Sequence, residues 1–330
     1  MALRQTLLAA AALLPSLAAC GGDDGQPVPE GTHYHYVSSK ANVPTNNNQA
    51  RDFGLDLNGD KTVDNQLGMV LGTLSTMGFD IQGTIDKSVA EGSIILLLDV
   101  QTKDFTNTSA AGLKVILGSN PTPAACNAGE MFCNTATPPV CTGCGHHLSG
   151  SATFDIAAGS PDNAAVGGKI VNGTFSGGPG DISLQIALGG TNPIQLDLIG
   201  ARAKATGISA TGITSVILAG ALTQADLNTK VIPAITAQIA PIIARDCTAL
   251  SSPPACGCTS GSTGKTVLDL FDGDIAGTSK DCMVTNEEIV GNSLIQSLLA
   301  PDVKINGTDA LSLGIKVEAT GATFTVPGEM

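Results

Sequence analysis

In DISLQIALG, Ile182, Leu184, Ile186 and Leu188 occupy every second position, and in IQLDLIGARAKA the same period returns at Ile194, Leu196 and Leu198. Successive side chains of an extended chain point to opposite faces, so each run presents one apolar face. The C-terminal LSLGIKVEAT repeats the pattern, with Leu313, Ile315 and Val317 alternating with Ser312, Gly314, Lys316 and Glu318. Clusters such as Gly177-Gly178-Pro179-Gly180 and Gly189-Gly190-Thr191-Asn192-Pro193 punctuate the runs and read as turns. This spacing predicts a meander or sandwich of antiparallel strands from residue 151 onward. Aromatic residues make up only 3% of the chain and Trp is absent, so the core must be built from Val, Ile, Leu and Ala.

The first half reads differently. Leu67, Val70, Leu71 and Leu74 follow helical spacing, as do Ile81, Ile85 and Val89, the latter closed by Gly92. SIILLLDVQ (93–101) is a continuous apolar run, the pattern of a strand buried on both faces, and GLKVILG (112–118) reads as another. Between the β runs, TQADLNTKVIPAITAQIAPIIARDC carries Ile235, Ile239 and Ile242 on one stripe. Pro233 and Pro241 predict two short helices or one bent helix there. The fold class expected is α+β and β-rich: an antiparallel sheet or sandwich with a few short helices, stabilised by disulfides. The expected divisions are a leader at 1–19, a tether at 20–50, a helix and strand region with a Cys-rich loop at 51–150, and a β-rich region at 151–330.

The leader sets the compartment. Arg4 precedes an apolar run from Leu7 to Leu14, too short to span a bilayer. It ends in Leu17-Ala18-Ala19-Cys20-Gly21-Gly22, which resembles the bacterial lipobox. The resemblance implies lipidation of Cys20 and a membrane partner held through acyl chains. Gly21 after the cysteine is similar to lipoproteins sorted to the outer membrane. The Gly-, Pro- and Asn-rich stretch to about residue 50 reads as a tether. His33 and His35 within it would share one face of an extended strand, a pair able to bind a transition metal.

Without Cys20, eight cysteines remain in two groups: Cys126, Cys133, Cys141 and Cys144, then Cys247, Cys256, Cys258 and Cys282. In an exported chain these predict disulfides, most economically paired within each group. Cys141-Thr142-Gly143-Cys144-Gly145-His146-His147 also admits a zinc site. Its histidine is one place too far for c-type haem, and the Pro/Thr-rich loop is not the strand-to-helix setting of a redox CxxC.

DLNGDKTVDN brings oxygen ligands to the spacing of an EF-hand loop: Asp56, Asn58, Asp60, Thr62 through its carbonyl, and Asp64 at positions 1, 3, 5, 7 and 9. Val63, at position 8, is expected to pack. The stretch resembles dockerin loops and, at Asp64-Asn65, thrombospondin type 3 calcium repeats. It departs from them at position 6, which is Lys61 rather than Gly, and at position 12, which is Leu67 rather than Glu. A second segment resembles the exiting half of an EF-hand, with Asp281, Met283, Thr285 and Glu288 at positions 5, 7, 9 and 12 and Cys282 at position 6. Asp272 and Asp274 lie upstream, as though an insertion had displaced the first half. Both resemblances imply structural Ca²⁺.

The net charge of −13 and the lack of a basic stripe argue against nucleic acid. No G-x-S-x-G or H-E-x-x-H pattern occurs. Ser262-Thr263-Gly264-Lys265 fits S-x-x-K without its companion motifs. The function expected is therefore structural or adhesive binding to an envelope protein, surface protein or glycan. The alternative is an exported hydrolase with a carboxylate-based site.

Overall fold

The computed structural model describes residues 27–76, 79–134, 136, 138–161, 164–186, 193–249, 256–273 and 281–326. Its strands are β1 (Thr32–Asn42), β2 (Leu96–Thr102), β3 (Thr108–Thr122), β4 (Thr153–Ile156), β5 (Ala165–Val171), β6 (Thr174–Ile186), β7 (Ile194–Ser209), β8 (Gly212–Thr223), β9 (Cys247–Ala249), β10 (Cys256–Cys258), β11 (Val303–Ile305) and β12 (Thr308–Gly321). Its helices are α1 (Asn47–Asp52), α2 (Gln66–Thr76), α3 (Ile81–Ala90), α4 (Gln224–Asp226), α5 (Ile232–Asp246), α6 (Thr263–Phe271), α7 (Asn286–Gly291) and α8 (Ser293–Leu298), with one π turn at Leu227–Val231 joining α4 to α5. Where the sequence predicts two short helices or one bent helix, the helical stretch is continuous, with Pro233 in the first turn of α5 and Pro241 inside it.

Eight antiparallel strands close into a barrel in the order β1-β2-β3-β5-β6-β7-β8-β12, and β12 returns to β1. The β-rich antiparallel expectation holds, and closure is more specific than the sheet or sandwich expected from the alternation: a ring leaves its strands no free edge. Closure does correct the tether. Residues 32–42 are a barrel strand with Tyr36, Val37 and Ser38 buried, although Gly, Pro and Asn surround it in sequence. Asn42 pairs with Lys316 and Tyr36 with Gly321 on one side; Thr32 pairs with Thr102 on the other.

Register also places the helices. β1 and β8 both run antiparallel to β12, so each ends toward the start of that strand: β1 runs from Tyr36 opposite Gly321 to Asn42 opposite Lys316, and β8 from Gly212 opposite Thr320 to Thr223 opposite Ala310. The insertions carrying α1–α3 and α4–α8 therefore leave from the same rim. The opposite rim is made of tight hairpins, among them Asn172-Gly173, where both residues have positive φ (50° and 74°) as a type I′ turn requires.

Leu98, Val100, Leu113, Val115, Leu184, Leu196, Leu218, Leu313 and Ile315 point into the lumen. They form one cluster with Leu71 of α2, Ile85 of α3, Ile239 of α5 and Phe271 of α6, so the helices plug the mouth. The long strand β7 keeps its apolar side inward only by breaking phase. In β7 a register shift between Ile199 and Arg202 lets Leu196 and Leu198 point inward and then Ala201, Ala203 and Ala205 as well. Gly200 sits in that shift at φ 60°, where an L side chain is strained. Tyr36 donates its hydroxyl hydrogen to the carbonyl of Ser209 at 2.7 Å, tying β1 to β7; burial pushes its phenol well above the usual range.

Two smaller clusters lie outside. Val37, Leu97 and Ile116 face outward and are covered by Phe154 and by Phe324 and Val326 of the C-terminal segment, which explains why 93–101 is apolar on both faces. Elsewhere the outer wall carries Lys169, Lys204, Lys316 and Glu318. Apolar inside and charged outside is the inverse of a lipid-embedded barrel.

Asn65 fastens the plug to the barrel. Its Oδ1 accepts from the Gly314 and Gly68 amides (2.8 and 3.0 Å), and its Nδ2 donates to the Gly314 and Ala50 carbonyls (3.0 and 2.9 Å). The side chain thus stands in for a neighbouring strand residue beside Gly314, caps α2, and reaches α1. Gly314 must lack a Cβ, which would lie 2.2 Å from the Phe53 carbonyl oxygen. Asn65→Leu leaves these buried groups unsatisfied, and the expected loss of stability is about 3–5 kcal/mol. Urea unfolding in chelator checks this: Asn58→Ala, in an exposed turn, should change stability by less than about 0.5 kcal/mol.

Candidate metal centre

The loop between α1 and α2 is shaped by its own short polar side chains. Leu57 is buried against Ala219, Ala221, Val303 and Ile305, which pins the loop to the outer wall near β8 and β11. Leu55 and Asp64 form a short antiparallel bridge, and the Leu57 amide donates to the Asp64 carboxylate at 2.7 Å. Between these anchors Asp56 accepts from the amides of Gly59 (2.6 Å) and Lys61 (2.9 Å), Asn58 from Asp60 (3.0 Å), and Asp60 from Thr62 (2.7 Å). Lys61 adopts φ 71°, the left-handed conformation that glycine usually supplies at position 6. Val63 is 45% exposed, contrary to expectation, because Leu57 is the residue that enters a core.

The second segment repeats part of this construction. Asp272 accepts from the amides of Asp281 and Cys282, both at 3.1 Å, and Asp281 accepts from Met283 at 3.0 Å. Cys282, like Lys61, has φ 71°. Asp272 therefore stands to Cys282 as Asp56 stands to Lys61. Thr285 caps α7 in a reciprocal capping box with Glu288. The Glu288 carboxylate also accepts from the Gly273 amide at 3.0 Å and is 2% exposed. Val284 is buried and Met283 is exposed. Asp274 lies outside the described residues, as does Cys20.

Electrostatics follow from burial. Asp64 is raised above the usual carboxylate range by burial and by the charges of Asp302, Asp60 and Asp56, partly opposed by the Leu57 amide. Asp272 is raised by burial, with Asp281 and Glu288 adding to it against the amides of Asp281 and Cys282. Asp60 is lowered by the Thr62 amide. The two clusters offer oxygen donors of the hard kind suited to Ca²⁺. Leu67, at position 12 of the first loop, is buried in the core and supplies no ligand.

The eight cysteines form Cys126–Cys144, Cys133–Cys141, Cys247–Cys258 and Cys256–Cys282, all within their sequence groups. The bridges occupy the thiols on which a Cys/His zinc site depends. His146 bonds Glu130 at 2.8 Å instead, and His147 is fully buried.

A polar network on β6 and β7 has no precursor in the sequence reading. Ser183 and Lys230 both donate to Asp197, at 2.6 and 2.9 Å, and Lys230 also pairs with Asp226. Burial works to lower Lys230, but its bonds to Asp226 and Asp197 outweigh that and hold it above its ordinary value. It is a paired cation rather than a base. The reading also missed Asp302 and Asp99; the latter is signalled only as the single charge in SIILLLDVQ. Comparison with protein families, curated proteins and solved structures finds no match to this chain.

His147 generates a pH prediction. Burial, followed by the charge of His146, lowers its pKa below the ordinary 6.5. The unfolded chain therefore takes up a proton that the folded one resists. Stability is full above about pH 6.5 and falls as pH drops below it, with a slope approaching about 1.4 kcal/mol per pH unit. His147→Leu should flatten this limb, as read from chemical unfolding at several pH values; an unchanged limb would assign it to other groups.

Proposed function

We propose that this chain is a lipid-anchored cell-envelope protein whose barrel displays calcium-binding loops in a structural or adhesive role. The observation that carries the calcium reading is the shared construction of the two loops. In each, a leading carboxylate (Asp56 or Asp272) receives the amide of a left-handed residue (Lys61 or Cys282). In each, burial raises a carboxylate, Asp64 or Asp272, and acidic neighbours add a smaller repulsion that a bound dication relieves. Disulfides support an exported location, and the lipobox resemblance supports a membrane anchor. Cys20 precedes β1 by twelve residues, which reach at most about 40 Å when extended.

Thermal and urea unfolding in Ca²⁺, in Mg²⁺ and in chelator tests the loops. A site filled at a hundredfold excess over its Kd adds roughly 2.7 kcal/mol. The gain should be specific to Ca²⁺ and should shrink in Asp60→Ala and Asp272→Asn. Equal stability in all three conditions would leave both loops as polar turns.

The anchor has a separate test. Full-length chain expressed in a Gram-negative host with a palmitate analogue should take up label, and Cys20→Ser should not. Label on Cys20→Ser would remove the anchor from the proposal.

A further inference from the structure

We propose that His33, His35 and Asp99 bind one first-row transition-metal ion on the outer wall of the barrel. β1 sends Tyr34 and Tyr36 toward the core, so His33 and His35 project outward together. On β2, Leu98 and Val100 face the lumen and Asp99 faces out, directly across from His35. The Asp99 carboxylate lies between the two rings. His33 Nδ1 is 2.9 and 3.0 Å from its oxygens, and His35 Nε2 is 3.8 Å from Oδ1. One donor atom from each residue falls within a sphere of contact where no pair exceeds 4.8 Å.

Those separations suit a metal. Bonds of about 2.0–2.1 Å at tetrahedral angles place ligand atoms roughly 3.3 Å apart, so small side-chain rotations suffice and the strands need not move. Two imidazoles and one carboxylate leave coordination positions for water or a further ligand, a donor set suited to zinc, iron, nickel or copper rather than calcium. Both rings converge on the same carboxylate, the arrangement a metal uses.

The surroundings hold the ligands in place. Asp99 is 4% exposed and is the one charged residue of β2. His35 stacks on Phe324 at 4.3 Å between centroids, and its carbonyl accepts from the Ala322 amide, so the C-terminal segment braces that ring. Side-chain exposures of 33% and 19% keep His33 and His35 open to an arriving ion. Lys114 stands across from Asp99 on β3. Its ammonium rides a flexible stem and can swing into solvent, whereas the rings and the carboxylate sit on short side chains.

Calorimetric titration of the purified, chelator-treated protein with Zn²⁺ tests the site, with visible absorption of Co²⁺ reporting coordination by nitrogen. One equivalent should bind, and His33→Ala and His35→Ala should each weaken binding by at least about 100-fold, since even indirect ligand partners are worth 10- to 100-fold. Asp60→Ala, Asp272→Asn and His146→Gln should leave it unchanged, which separates this site from the calcium loops and from the Cys-rich loop. Asp99 is buried, so the half-buried histidines carry the test, with circular dichroism confirming that their variants fold. Zn²⁺ binding undiminished in the His33→Ala/His35→Ala double variant, or no Zn²⁺ binding by the parent protein, would overturn the proposal.

Discussion

Backbone amides and carbonyls along a strand edge need partners, and here β1 and β12 supply them to each other. Their pairing joins residues about 280 positions apart and turns a meander into a ring. Inside and outside acquire meaning only once the ring is closed. The lumen can then be lined mainly by apolar side chains, the outer wall can be charged, and both helical insertions emerge at one rim. Where β1 ends and can no longer pair with β12, the carboxamide of Asn65 takes over beside Gly314. The same side chain that finishes the strand edge starts α2, so barrel and plug are joined through one residue.

Left-handed backbone positions mark where the chain changes direction for a purpose. At Gly200 the conformation resets the phase of β7 and keeps small alanines inward. At Lys61 and Cys282 it folds an acidic loop around its own amides, and neither residue is glycine. An L residue there costs on the order of 1 kcal/mol, which the surrounding hydrogen bonds and, at Cys282, a disulfide to Cys256 offset.

Much of the fold was legible in local periodicity. The alternation at 182–186, 194–198 and 313–317 corresponds to β6, β7 and β12, and the helical spacing at 67–74 and 81–89 to α2 and α3. Cysteine grouping gave the correct partition of the bridges. What escaped the reading depends on distant pairing. β1 was hidden by its Gly-, Pro- and Asn-rich flanks, and an alternation of His and Tyr does not announce a hydrophobic face. Closure is a relation between the two ends of the chain, which no window detects. Asp99 gains significance only from the register that sets it against His35. Val63 was misplaced because nothing local says that Leu57, six residues earlier, already fills the apolar contact.

The direction of β1 gives the molecule a polarity. Thr32 opens the strand at the hairpin rim and Asn42 closes it at the helical rim. Under the proposed anchor at Cys20, the connection to the bilayer would leave the barrel from its hairpin rim, with the plugged mouth at the opposite end. The Asp56–Asp64 loop and the His33–His35 pair would then lie toward opposite ends of the barrel, the loop on the side of the mouth and the histidines near the rim from which the anchor leaves.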